Sequence, residues 1–491
     1  MTLIFSGNDY KYELEGVMKL FIPASLFTHI YSDRVDTDDD YVFAREKSFS
    51  NYTLLYVIGS FNGKKAHKTH IVKQSDSGLD ADKELIMSRL LYTVMHKLTG
   101  KGSQWGVITG IRPVKRVNSM LSDGFDKKQI FSVLKEKYLC SDEKCELSYL
   151  TALTQKPAID ALNDKTFSLY VSIPFCPTRC SYCSFVSQSV ESSMKQIPEY
   201  LNKLCEEIRY TGELTRRIGL KLDTVYFGGG TPTTLTAPQL ERLMNTIAEG
   251  FDTSTVREYT IEAGRPDTIT EDKLSVIKAN GCNRISINPQ TLNNSVLEAI
   301  GRRHTAEQFY ESFSLARKIG FDMINTDIIA GLPTDTFDSF KHTIDELINL
   351  SPENITVHTL SIKRSARLNQ SGDRSVLDNP VAKMVEYANS KLLAAGYRPY
   401  YLYRQKNMLD NLENIGWAKQ GCESLYNIYI MEEIQTILAM GAGGSTKLVD
   451  LIGHRLSRVF NYKFPLEYNK HFELMLNKKN EIEDFYAEKE R

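Results

Sequence analysis

Cys176, Cys180 and Cys183 lie within eight positions of the stretch IPFCPTRCSYCSF, residues 173–185. Thiolates at such density are ligands for a soft metal or a metal cluster. A closed zinc site takes four ligands in paired spacings, and here the nearest histidine downstream is His304. An iron–sulfur cluster accepts short, irregular spacings, and a cubane held by three thiolates keeps one iron open for a substrate or cofactor. Pro174 and Pro177 prevent a continuous helix through this stretch, so the cysteines sit on an irregular loop. Three buried core thiols are the alternative. That reading suits the other five cysteines, Cys140, Cys145, Cys205, Cys282 and Cys422, which are scattered.

The cysteine loop must be carried by regular elements, and their signals are clear from Leu169 to about Leu360. Short β-branched or aromatic runs alternate with longer helical patterns, as in βα units around a parallel sheet. The predicted strands are SLYVSI (168–173), DTVYF (223–227), EYTIE (258–262), RISIN (284–288), INTDII (324–329) and ITVHTL (355–360). Thr236 and Thr270 read as helix N-caps, and Gly250 and Gly281 as stops. Six right-handed crossovers in sequence predict a partial (βα)6 barrel, with an open doubly wound sheet as the alternative. Either fold builds its site at the C-terminal ends of the strands. The cysteines follow the first strand, GGGTP (228–232) the second, Glu262 ends the third, Gln290 follows the fourth and Asp327 lies near the end of the fifth. All five converge on one rim.

The 491-residue chain is too long for one core. Residues 1–155 read as a separate N-terminal α/β domain of unknown role, with strand-like YTLLYVIGSF and KTHIVKQ before the helical ADKELIMSRLLYTVMHKLTG. In it WGVITGIRPVKRV offers Arg112, Lys115 and Arg116 as an anion-binding turn or, alternatively, a solvated or docking loop. Residues 156–375 form the barrel, and residues 376–491 are expected as a mainly helical C-terminal domain covering the substrate side. Sixty Lys and Arg against 61 Asp and Glu give no basic excess, which argues against nucleic acid as a partner. No run of 18 apolar residues is present to span a membrane, so a cytoplasmic protein is expected.

CxxxCxxC in the loop after the first strand of a βα barrel resembles the radical S-adenosylmethionine (SAM) superfamily. YVSIPFCPTRCSYC, YFGGGTPT, INPQTLNNSVLEAIGRRH and INTDIIAGLP together resemble its oxygen-independent coproporphyrinogen III dehydrogenase group. NLENIGW, GAGGS and the added N-terminal domain with WGVITGIRPVKRV are most similar to the longer HemZ-type members. The resemblance implies a [4Fe-4S] cluster on Cys176, Cys180 and Cys183, with SAM on the open iron. A 5′-deoxyadenosyl radical generated there would start the reaction, so no side chain is assigned a catalytic role. Tyr170, Tyr182, Gly229, Gly230, Thr231 and Glu262 would hold SAM; Gln290, Arg302, Asp327 and Thr359 would hold a second SAM, as in some members. Gly229 and Gly230 would expose backbone N–H and C=O groups to the methionine end. Taken singly, Gly228 to Gly230 read equally as a tight turn and Arg302 as a solvated helix end.

The implied activity is oxidative decarboxylation of coproporphyrinogen III to protoporphyrinogen IX, a tetrapyrrole substrate, fed by an unidentified electron donor. Lys363, Arg364 and Arg367 are placed to meet substrate carboxylates or, equally, to be solvated surface charge. Phe185 stands where the best-known dehydrogenases carry a further cysteine. Relatives with the same motifs include haem chaperones and tetrapyrrole-modifying methyltransferases, so those readings stay open. A chaperone would need a haem ligand, for which His358 and Cys422 are the candidates near the expected rim.

Overall fold

The computed structural model describes residues 1–22, 27–183, 187–361, 380–405 and 408–489. The chain divides into two compact units, Met1–Ala152 with Arg404–Asn411, and Leu153–Tyr403 with Leu412–Arg491.

The first unit carries a five-stranded sheet of β1 (Thr2–Ser6), β2 (Thr28–Tyr31), β3 (Tyr41–Ser48), β4 (Tyr52–Phe61) and β5 (Lys64–Lys73), ordered β2-β1-β3-β4-β5. Leu55 and Val57 are fully buried on alternate positions of β4. Gly59 shares that face, where a Cβ would lie 2.8 Å from Val94 and Leu98 of the helix Lys83–Thr99. Asp82 caps this helix on the Leu85 N–H, and Gly100 ends it at φ 70°. Arg116, offered either for anion binding or as part of a solvated or docking loop, lies over the Tyr138 ring and donates a 2.9 Å hydrogen bond to its hydroxyl.

The second unit realises the βα series. β6 (Thr166–Ile173) leads through the short β7 (Phe175–Cys176) and β8 (Gln188–Ser189) to β9 (Lys221–Gly229), β10 (Glu258–Glu262), β11 (Arg284–Ser286), β12 (Met323–Ala330) and β13 (Asn354–Thr359). All six long strands pair in chain order and in parallel. The six predicted strands coincide with these within two residues. Thr236 caps the helix Ala237–Gly250 in a capping box with Gln239, although Gly250 is that helix's last residue rather than a residue beyond its end.

Residues past 376, expected as a domain of their own, fall within the second unit except for Arg404–Asn411, which belong to the first. β14 (Arg398–Tyr403) and β15 (Asn414–Ala418) extend the sheet beyond β13. On the other edge β16 (Thr436–Met440) runs parallel to β6, followed by β17 (Ser445–Asp450) and β18 (Arg455–Phe460). Backbone pairing to both edges of the barrel strands joins this region to their sheet. Helices accompany these strands, at Val381–Ala394, Leu425–Glu432 and from Pro465 onward.

Register gives the sheet two unlike faces. On one lie Leu169, Val171, Val225, Phe227, Ile261, Ile285, Ile324, Ile328, Ile355 and Val357, all buried. At about 1.5–3 kcal/mol for each such side chain this face supplies much of the unit's stabilisation. The other face is polar. Tyr170 stands opposite Tyr226, Ser172 opposite Gly228, Glu262 opposite Ser286, Ser286 opposite Asn325, and Asp327 opposite Thr356. Buried strands with one polar face form the wall of a site rather than a packed barrel interior.

Candidate functional site

The cysteine loop leaves β6 and is anchored at two points to the Ile300–Gly301 segment. The Ser181 N–H donates to the Ile300 carbonyl at 3.0 Å, and the Thr178 hydroxyl to the Gly301 carbonyl at 3.1 Å. The Cys183 N–H donates to the Cys180 carbonyl at 3.2 Å, a turn that separates the last two thiols. All three cysteines are free thiols; Cys180 is buried, while Cys176 and Cys183 are partly exposed. Burial pushes the Cys176 thiol up, opposed by hydroxyl donors, among them the Thr231 hydroxyl 3.6 Å from its sulfur. Among the described residues no three His, Cys, Asp or Glu side chains gather as ligands of one metal ion. Thiolates that each bind a different iron of a cluster need not meet at one point.

The glycine turn fits against the start of this loop. A Cβ on Gly230 would lie 2.6 Å from the Phe175 carbonyl oxygen and 2.8 Å from its nitrogen, and Gly229 has φ 106°. The donors expected to face a ligand are already used: the Gly230 N–H binds the Ile173 carbonyl at 2.8 Å and the Thr231 N–H binds Phe175 at 2.7 Å. The glycines thus admit the cysteine loop by close backbone approach.

GAGGS braces the same place from the C-terminal residues. The Ser172 hydroxyl donates to the Ala442 carbonyl at 2.7 Å, Tyr200 donates to the Ser172 carbonyl at 2.8 Å, and the Gly441 N–H donates to Glu207 at 2.7 Å. Residue 441 must be small, because a Cβ there would lie 2.4 Å from the Tyr200 hydroxyl.

The polar face gathers most of the remaining candidates. Tyr170 and Tyr226 stack at 6.2 Å, and Tyr426 from the helix Leu425–Glu432 stacks on Tyr226 at 4.4 Å. Tyr226 donates a 2.6 Å hydrogen bond to Glu262. Burial pushes the Glu262 carboxyl up to about 7, with Asp327 adding to the rise while Tyr226 and His358 oppose it. Burial also pushes Asp327 up, but hydrogen bonds from His358, Asn325 and Thr356 and the charge of His358 outweigh it and hold this carboxyl below its ordinary range. Asn325 donates to Asp327 at 2.8 Å, and His358 Nε2 lies 3.8 Å from its other oxygen. Two neighbouring carboxyls pushed in opposite directions mark a functional site.

Gln290 holds a left-handed backbone at φ 67°, its N–H bonded to the Asp327 carbonyl at 2.9 Å. Arg302 is no solvated helix end. It donates to the carbonyls of Asn288 at 2.9 Å and Gly264 at 3.1 Å, and it bonds the Tyr182 and Cys180 side chains. Burial pushes Tyr182 up, while the charge of Arg302 opposes the rise.

Two expectations fall elsewhere. Thr359 is buried on the apolar face in register with Val357, and its hydroxyl donates to the Glu413 carbonyl at 2.8 Å. His358 occupies the polar face at that level. The Cys422 carbonyl accepts from Arg284 at 2.9 Å and Asn354 at 2.8 Å, which start their strands, so Cys422 lies at the end of the sheet opposite the rim. His304 is buried beside the Pro289 carbonyl, and burial together with the charge of Arg302 lowers it to about 3. Lys363, Arg364, Arg367 and Phe185 lie outside the described residues.

Sequence reasoning missed Tyr226, Tyr426 and Arg265. Tyr226 was legible from alternation, two positions before Gly228 and opposite Tyr170. Arg265 sits in the loop after the third strand, three positions past Glu262. Tyr426 carried no local signal, because it reaches the face from a distant helix.

The radical SAM superfamily profile matches residues 170–347. The chain is 41% identical over 393 residues to the oxygen-independent coproporphyrinogen-III oxidase-like protein HemZ of Bacillus subtilis, covering 79% of this chain and 78% of that one. It is a member of the radical SAM superfamily, in its HemZ-type coproporphyrinogen oxidase-like group. The heme chaperone HemW of Lactococcus lactis is 33% identical over 65% of this chain and 80% of its own length. Among solved structures, coproporphyrinogen III oxidase (HemN) of Escherichia coli, a radical SAM enzyme, superposes with a TM-score of 0.52 at 25% identity, covering 66% of this chain and 73% of that chain.

The superfamily's cofactors are a [4Fe-4S] cluster and SAM, and this site fits them. It offers three free thiols on an irregular loop over a glycine turn. Two buried polar atoms beside them, Ser181 Oγ and Arg302 Nε, have no protein partner. No described helix is long and apolar enough to cross a membrane.

Proposed function

We propose that this radical SAM protein carries out oxygen-independent oxidative decarboxylation of coproporphyrinogen III to protoporphyrinogen IX. The observation that carries the reading is the 41% identity to HemZ across 78% of its length, with the polar sheet face positioned beside the cysteine loop. When bound, the cluster and SAM would supply a 5′-deoxyadenosyl radical able to take hydrogen from a substrate propionate, which would leave a vinyl group on releasing CO2 and passing one electron to an external acceptor. Cys176, Cys180 and Cys183 hold the cluster. Tyr170, Tyr182, the Gly229–Thr231 turn and Glu262 hold SAM, and Gln290, Arg302 and Asp327 line the place of a second SAM. The stacked tyrosines give the polar face an apolar body that excludes water from the reacting groups. A tetrapyrrole with four carboxylates requires cations, and Lys363, Arg364 and Arg367 follow the sixth strand to supply them.

The second reading, haem chaperone, is favoured by the 33% identity to HemW. Against it, the two side chains considered as haem ligands are poorly disposed: Cys422 lies at the far end of the sheet, and His358 is engaged by Asp327. Anaerobically reconstituted protein with SAM, a reductant and coproporphyrinogen III separates the readings by mass spectrometry. Vinyl-bearing product with 5′-deoxyadenosine supports the enzyme; retention of added haem without turnover supports the chaperone.

A further inference from the structure

Cys176 and Cys180 differ in the side chains nearest their sulfurs. Near the Cys176 sulfur stands the neutral Thr231 hydroxyl. Near the Cys180 sulfur stand two cations, Arg302, which bonds this side chain, and Arg265, whose Nη1 lies 3.8 Å away. Arg265 is 3% exposed and held in one orientation. Its Nε and Nη2 make a two-point pair with Asp267, each contact 3.0 Å. Nη1 also donates to the Thr178 hydroxyl at 3.1 Å and carbonyl at 3.4 Å. A two-point Arg–carboxylate pair fixes direction as well as charge, and here it aims the remaining NH2 at the cysteine loop.

We propose that Arg265 is a positioning residue that tunes the cluster's reduction potential through Cys180. Adding one electron to the cluster increases negative charge at its thiolate ligands. A buried cation donating to one of those sulfurs stabilises the reduced form and raises the potential. Asp267 offsets part of that charge, so the pair adds to the effect of Arg302 at the same sulfur by less than an unpaired Arg265 would. The inference rests on the cluster shared by the superfamily and is independent of the tetrapyrrole substrate.

The test is a redox titration of reconstituted full-length protein, following the reduced cluster by electron paramagnetic resonance, with iron and sulfide content measured in parallel. R265Q removes the charge and keeps a donor; the equilibrium for one-electron reduction should fall about tenfold, about 59 mV more negative. R265K keeps the charge and should shift less than R265Q. D267N uncovers the cation and should move the potential the other way. An R265Q protein with full iron and sulfide and an unchanged potential overturns the proposal, as does a shift of R265Q and D267N in the same direction. If R265Q holds no cluster, D267N decides: a more positive potential supports the proposal and an unchanged or more negative one overturns it.

Discussion

The Tyr226 hydroxyl donates a 2.6 Å hydrogen bond to Glu262 across adjacent parallel strands. Tyr226 and Glu262 lie on the polar side of the sheet with Tyr170, and the buried Tyr426 stacks on Tyr226. The bond opposes the burial that pushes Glu262 up to about 7. It therefore favours the ionised form of this acceptor at the place proposed for SAM.

Replacing Tyr226 with Phe removes that opposition and leaves burial and Asp327 to raise Glu262 further. SAM affinity of Y226F, measured by calorimetry, should fall roughly 3- to 10-fold at pH 7.5 and recover toward wild type by pH 9, since one pKa unit corresponds to a factor of ten. An equal loss at both pH values would assign the hydroxyl a purely steric task.

Glu262 also makes stability depend on pH. Its folded value, about 7, lies above the ordinary carboxylate value of 4.5, so the native state binds the extra proton between these limits. The stabilising contribution is complete below about 4.5 and is lost as pH rises through about 7. E262Q keeps the neutral form at every pH. It should be more stable than wild type at pH 8, by roughly 1–3 kcal/mol in urea denaturation, and should match it near pH 5.

The strands were legible because each alternates an apolar with a polar series, and EYTIE maps onto Glu258–Glu262 residue for residue. The rim followed from strand direction, which placed the cysteines, the glycine turn, Glu262 and Asp327 together. Pairing across the chain was not legible. Nothing local in Tyr426, Gly441 or Asn414 shows that they meet Tyr226, Ser172 and Thr359, since such contacts are set by the edges to which β15 and β16 add. Gly229 and Gly230, proposed to hold SAM, also admit the backbone of Ile173–Phe175, and the assignment of Gly230 to this second task comes from the structure alone.

Gly230→Ala tests that assignment. Its Cβ would meet the backbone of Phe175 at 2.6 and 2.8 Å, which no side-chain rotation relieves. The variant should lose more than half of its iron and sulfide on reconstitution and about 2–3 kcal/mol of stability. If SAM affinity falls while cluster content stays full, Gly230 serves the ligand rather than the cysteine loop.

Thr359 distinguishes strand parity from sequence alignment. Its hydroxyl and N–H are both committed, to the Glu413 carbonyl and to Asn414 Oδ1 at 2.8 Å each. Thr359→Val keeps the shape and deletes the donor, leaving the Glu413 carbonyl without that partner at a buried site. It should cost about 1–3 kcal/mol in denaturant unfolding and leave SAM affinity unchanged. Asp327→Asn, on the polar face one strand away, should show the reverse: weaker binding of the second SAM equivalent with a small change in stability. A Thr359→Val protein of full stability and weakened SAM binding would return residue 359 to the site.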